Sequence, residues 1–145
     1  MSCSALIEIH FYKPVEIFDI MKLFKKINWS YRDTSCLTHY LPIGDTDDFN
    51  YKTAEFSDEE LKCFVNEKLK TDNTVFIEFF YTKGNEGFTM CANKEKCGLF
   101  LSNNRHCLQN VREKPTDYGW YSKNIIVPLF NAGAKIATYS FDDTL

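Results

Sequence analysis

Thr74-Val75-Phe76-Ile77-Glu78-Phe79-Phe80-Tyr81-Thr82 decides the fold of this chain. Val75, Ile77, Phe79 and Tyr81 alternate with Phe76 and Phe80, which predicts a central strand buried on both faces. Asp72 and Asn73 break the pattern before it. Lys83 to Gly87, with two glycines, reads as a loop into a second strand from Phe88 to Cys91, and Gly98 to Ser102 adds a third antiparallel partner.

Upstream of this strand, Ser57-Asp58-Glu59-Glu60 is a capping box, and Leu61, Phe64, Val65 and Leu69 give the buried stripe of the helix it starts. Phe56 and Leu61 are spaced as a hydrophobic staple. At the chain start, Ile7, Ile9 and Phe11 alternate with Glu8, His10 and Tyr12, as in a strand covered on one side. Pro14 pre-sets a helical turn, and Ile17, Ile20, Met21, Phe24 and Ile27 share a helical stripe that ends in Lys22, Lys25 and Lys26. Trp29 to Ile43 is β-prone and predicts one or two strands, with Arg32 to Ser35 as a hairpin turn. Pro42 and Gly44 end regular structure, leaving the segment up to Phe56 as a loop.

Downstream, Asn103 to Thr116 is polar and turn-rich. Thr116 or Asp117 caps a helix from Tyr118 to about Asn131, with Tyr121, Ile125 and Leu129 on one face and Pro128 set to kink or shorten it. Gly133 is a C-terminal stop, and Ala134 to Phe141 is a last strand. This order predicts an α+β fold, a layered domain of mostly antiparallel or mixed sheet covered by about three helices. The 145 residues suit one core, so residues 1–145 are read as a single domain.

Aromatic residues make up 16% of the chain, which requires many of the 13 Phe to be core. Met1 to Ala5 lacks the basic and apolar stretches of a secretory signal, and no window approaches a membrane span. Scattered Cys3, Cys36 and Cys63 fit reduced thiols, so the expected location is the cytoplasm.

Chemical motifs are sparse. Cys91, Cys97, His106 and Cys107 offer soft ligands, yet their spacing departs from the paired ligands of structural zinc sites. Six cysteines and His10, His39 and His106 would allow a nucleophile pair, but no nucleophile turn accompanies any of them. Asp45, Asp47 and Asp48 open like a calcium loop, but Asn50 and Phe56 stand where its glycine and bidentate glutamate belong. The six glycines never take a phosphate-loop or dinucleotide spacing. Seventeen Lys and Arg against twenty Asp and Glu argue against direct nucleic-acid binding. No cofactor and no metal is expected.

The strongest signal is charge. Asp45, Asp47, Asp48, Glu55, Asp58, Glu59 and Glu60 face the single cation Lys52 in a chain of net charge -3. Asp58, Glu59 and Glu60 favour a helix N-terminus, which leaves Asp45, Asp47, Asp48 and Glu55 without a local role. They share their loop with Phe49, Tyr51 and Phe56, and acids around aromatic anchors suit a surface that docks a basic protein. The expected partner-binding residues are therefore Asp45, Asp47, Asp48, Phe49, Tyr51, Glu55, Asp58 and Glu59. Asp142-Asp143 with the terminal carboxylate is a second acidic candidate.

A small, acidic, cysteine-containing α+β chain without a catalytic signature resembles the immunity proteins of bacterial toxin systems, including contact-dependent growth inhibition. The resemblance lies in size and composition over the whole chain, and no residue role is carried over from it. It implies a cytoplasmic non-enzyme that neutralises a cognate toxin, often a basic nuclease, by covering its active site or a nearby surface. A small enzyme using a cysteine or histidine in a cleft, or a zinc-binding module, is the alternative reading.

Overall fold

In the computed structural model, which describes residues 4–101 and 104–144, eight antiparallel strands form one sheet. They are β1 (Ser4–Phe11), β2 (Trp29–Ser30), β3 (Thr38–Tyr40), β4 (Lys52–Ala54), β5 (Val75–Tyr81), β6 (Gly87–Ala92), β7 (Lys96–Leu101) and β8 (Ile136–Thr144). The order is β4-β3-β5-β6-β7-β1-β8, and β2 and β3 share the edge of β5 that β6 leaves free. Helices α1 (Ile17–Lys26) and α2 (Asp58–Asp72) are joined in the other layer by α3 (Tyr118–Tyr121) and α4 (Val127–Asn131). The fold is α+β, as the alternation and helical stripes predict.

One hydrophobic cluster joins the helices to a single face of the sheet: Ile7 and Ile9, Val75, Ile77 and Phe79, Met90 and Leu99 are all buried in it. Phe24 of α1 meets Phe79 and Phe88 with ring centroids 5.3 and 5.2 Å away, and those two stack at 5.0 Å. Aromatic pairs at such separations add to the area they bury. Trp29, on the short β2, is fully buried and donates through Nε1 to the Asn124 carbonyl at 3.1 Å, tying the sheet to the segment after α3.

Several expectations need correcting. β5 is central, but its second face is only half covered: Phe76, Glu78 and Phe80 are partly exposed while Val75, Ile77 and Phe79 are buried. Phenylalanines on both faces of a strand therefore do not require two covering layers. Arg32 to Ser35 does not close a hairpin, because β2 and β3 both pair with β5 rather than with each other. Asp33 instead turns the chain locally, accepting from the Ser35 and Leu37 N–H groups. The segment before Phe56 is not wholly loop, since Lys52–Ala54 pairs with β3. The helix expected from Tyr118 to Asn131 is interrupted by a π-helical stretch, Ser122–Ile126, so that Pro128 enters the first turn of α4, where its missing N–H costs little. Cys3, Ser102 and Asn103 lie outside the described residues.

Among the described residues no helix is long and apolar enough to cross a membrane. One-sided coverage has a measurable signature. Phe79→Ala should cost about 4 kcal/mol in urea unfolding, whereas Phe100→Ala, on the uncovered face, should stay within about 1 kcal/mol of the parent.

Candidate protein-docking surface

The acidic segment is held by a cation that its own sequence does not contain. α2 opens on the expected capping box, with Ser57 Oγ accepting from the Glu60 N–H at 3.1 Å and Glu60 Oε1 from the Ser57 N–H at 3.0 Å. Its buried face includes Leu61, Val65 and, unexpectedly, Lys68, which is 1% exposed. Lys68 Nζ donates to the Pro42 carbonyl at 2.8 Å, the Asp45 carbonyl at 2.9 Å and Asp72 Oδ2 at 2.5 Å. Three acceptors match the three donors of an ammonium, the condition under which a lysine can be buried. Asp72 Oδ2 also accepts from the Gly44 N–H, and the Lys68 hydrogen bond, followed by that of Gly44, holds its carboxyl below the usual range.

The loop is fixed from inside as well. Asp45 accepts from the Phe49 N–H at 2.9 Å and the Asn50 N–H at 2.8 Å. Partial burial pulls the Asp45 carboxyl up, but the N–H donors of Asn50, Phe49 and Asp48 and the Lys68 charge outweigh it and lower it. Phe49 sits at φ +55°, a left-handed conformation that costs a bulky residue roughly 1–2 kcal/mol. This geometry lays its ring edge-on against Phe76, with centroids 5.5 Å apart, while leaving it 49% exposed. Tyr51 is half-buried, and its phenol is pushed up to about 12 by burial, then by the negative field of Glu78 and other neighbours.

The eight expected docking residues thus divide. Asp45 is committed to the loop. Asp58 is committed to Arg32, whose Nη2 donates at 2.7 Å, and to the Tyr31 hydroxyl at 2.9 Å, and the Arg32 contact leads in lowering its carboxyl. Asp47, Asp48, Glu55 and Glu59 are exposed, and their carboxylates form no hydrogen bond or ion pair among the described residues. Phe49 is the more exposed of the two aromatics. Of the second acidic candidate, Asp143 accepts from the Thr116 N–H and hydroxyl, while Asp142 is exposed. Lys68 and Asp72 escaped notice in the sequence, although Lys68 falls on the stripe set by Leu61 and Val65 and stands four residues before Asp72.

The loop folds against the uncovered face of the sheet. Cross-strand registers define one row on that face, Asp142, Leu6, Phe100, Thr89 and Glu78, running from β8 to β5. His39 of β3 continues it, with Nδ1 3.5 Å from Glu78 Oε2 and Nε2 2.8 Å from Asp33 Oδ2. The row beside it, Ser140, Glu8, Gly98, Cys91 and Phe76, ends under Phe49.

The other chemical candidates are dispersed. Cys91 and Cys97 point to opposite faces, since Cys91 is paired with Gly98 on the uncovered side and Cys97 is buried in the core, and burial raises both thiols. His106 and Cys107 lie in the segment leading to α3. His106 stacks on Trp120 at 4.4 Å, with Nδ1 3.1 Å from Glu86 and Nε2 3.8 Å from Asp117. Carboxylates on opposite edges of a ring cannot converge on one ion, and among the described residues no group of three such side chains is arranged to hold a metal. No imidazole hydrogen-bonds a cysteine sulfur among them either. Of the prominent aromatics, Tyr12 is exposed, Trp29 and Tyr121 are fully buried, and Tyr118 and Trp120 are partly buried. No family model matches the chain, and no curated protein or solved structure is significantly similar to it.

Lys68→Met should destabilise the protein by about 3 kcal/mol, because a lost buried partner leaves the remaining groups unpaired. Asp72, whose folded carboxyl is lowered, contributes stability above the unfolded-state value near 4 that is lost as pH falls through the folded value. Acid titration of unfolding should show this loss in the parent and a smaller one in Lys68→Met.

Proposed function

We propose that this chain is an immunity-type inhibitor that binds and neutralises a basic protein toxin, a nuclease by the chemistry of its acidic face. The observation that carries the reading is the pinned loop: the exposed carboxylates of Asp47 and Asp48 and a half-exposed phenylalanine sit on a backbone already locked by Lys68 and Asp45, with Glu55 exposed before α2 and Glu59 exposed in its first turn. A loop ordered before encounter does not lose its conformational freedom on binding, which is where flexible loops forfeit affinity. Asp47, Asp48, Glu55 and Glu59 supply a negative field that accelerates encounter with a basic surface. Phe49 supplies an apolar anchor beside them, and acids at the rim of such an anchor are arranged as in protein interfaces. A cytoplasmic, non-catalytic role follows from this reading, with contact-dependent growth inhibition as the setting.

The test uses the products of the genes that neighbour the one encoding this chain, each expressed alone and together with it. Co-expression should restore growth, and association should slow about tenfold at low salt in the variant Asp47→Asn, Asp48→Asn, Glu55→Gln, with a flatter salt dependence. The unfolding midpoint of this variant should not fall, because none of the three carboxylates is bonded internally. A neighbouring product that is neither toxic nor bound, or an unchanged association rate, overturns the proposal.

A further inference from the structure

The uncovered face of the sheet is larger than the loop that touches it. Leu6 is partly exposed there and Phe100 is 47% exposed in the same row, and Phe76 and Phe80, partly exposed, flank Glu78 at its β5 end, so apolar side chains occur along the length of this face. Apolar side chains grouped on one face mark interaction sites more often than scattered surface residues do. The ionisable groups around them have one predominant sign. Glu8, 2.7 Å from His10 Nε2, Glu78, 3.5 Å from His39 Nδ1, and Asp142 stand in the two rows already described, and Lys96, opposite His10, is the one lysine or arginine among the described strand residues of this face.

We propose that the bound partner lies across this face, with a basic, extended segment carrying apolar side chains laid over the row Leu6, Phe100, Thr89 and Glu78. The inference rests on the reading of the chain as an inhibitor of a basic protein and extends its contact surface beyond the acidic loop. Charge selects the occupant. A second copy of this chain would set Glu8, Glu78 and Asp142 against their own equivalents, and a nucleic acid would meet the same repulsion. A basic polypeptide pairs with the carboxylates and covers the phenylalanines. Phe49 joins the two parts of the surface, since its ring rests on Phe76 at the end of the second row.

The experiment is a magnetic-resonance titration of the full chain with an acetylated ten-residue peptide alternating lysine and leucine. A glutamate–leucine peptide serves as the charge control. The lysine peptide should shift the amides of Leu6, Glu8, Glu78, Thr89 and Phe100, and the glutamate peptide should not bind. Phe100→Ser should weaken binding about fivefold or more, while Phe130→Ser, equally exposed at 46% but on α4, should leave it unchanged. Shifts confined to the acidic loop or the helix layer overturn the proposal. So does equal binding of the glutamate peptide, or indifference to Phe100→Ser. The two readings fail separately. Full toxin neutralisation by Phe100→Ser removes this face and leaves the inhibitor reading standing, and peptide binding on this face without any effect on the toxin does the reverse.

Discussion

An eight-stranded sheet offers two faces, and the helices of this chain pack on one of them. The shared cluster formed by α1, α2 and the α3–α4 segment with Ile7, Ile77, Phe79 and Leu99 therefore fixes what the opposite face must be. That face meets water, so its strands alternate in the manner of antiparallel sheets with one solvated side. It carries Glu8, His10, Glu78 and Thr89 as such a side requires, but it also retains Phe76, Phe80 and Phe100. Phe76 packs against the Phe49 ring and Phe80 against the His39 ring, which leaves Phe100 the most exposed of the three.

Lys68 solves a local problem created by the same geometry. The connection from β3 to β4 is long, and it bends past the end of α2 onto the uncovered face. A loop of this kind cannot close on apolar contacts alone because its backbone oxygens have to be satisfied near the core. The ammonium satisfies two of them and is neutralised by Asp72, and Asp45 completes the arrangement from within the loop. The left-handed Phe49 is then over-determined by its surroundings, which is the circumstance in which such a conformation persists.

Much of the fold was legible because it depends on local pattern. The capping box at Ser57, the alternation in β1 and β5 and the stripe of α1 are each set by residues within a few positions of one another. What was not legible depends on partners distant in sequence. Whether Phe76 and Phe80 are covered is decided by which face the helices settle on, α3 and α4 among them in a distant part of the chain, and nothing in Thr74 to Thr82 encodes that. The two-residue β2 and the π-helical stretch likewise meet through the Trp29–Asn124 hydrogen bond, which spans 95 residues of sequence. In the candidate site, charge pattern located the right segment but could not separate carboxylates that face solvent from those, at Asp45 and Asp58, already spent on N–H groups and on Arg32. Lys68 was within reach of the same pattern, since it continues the stripe of Leu61 and Val65 and stands four residues before Asp72.

The Lys68 clamp has a consequence for how such a surface can change. It grips Pro42 and Asp45 by their main-chain oxygens, which every amino acid carries, and Asp72 holds Gly44 by its N–H. Beyond Asp45 the next fixed points are also main-chain groups, the Phe49 and Asn50 N–H bound by the Asp45 carboxylate, so the side chains in between are decoupled from the architecture that supports them. Residues 46 to 48, all exposed, can drift through many identities without reworking the core, so the chemistry this loop shows to solvent can change by substitution on a frame that stays put.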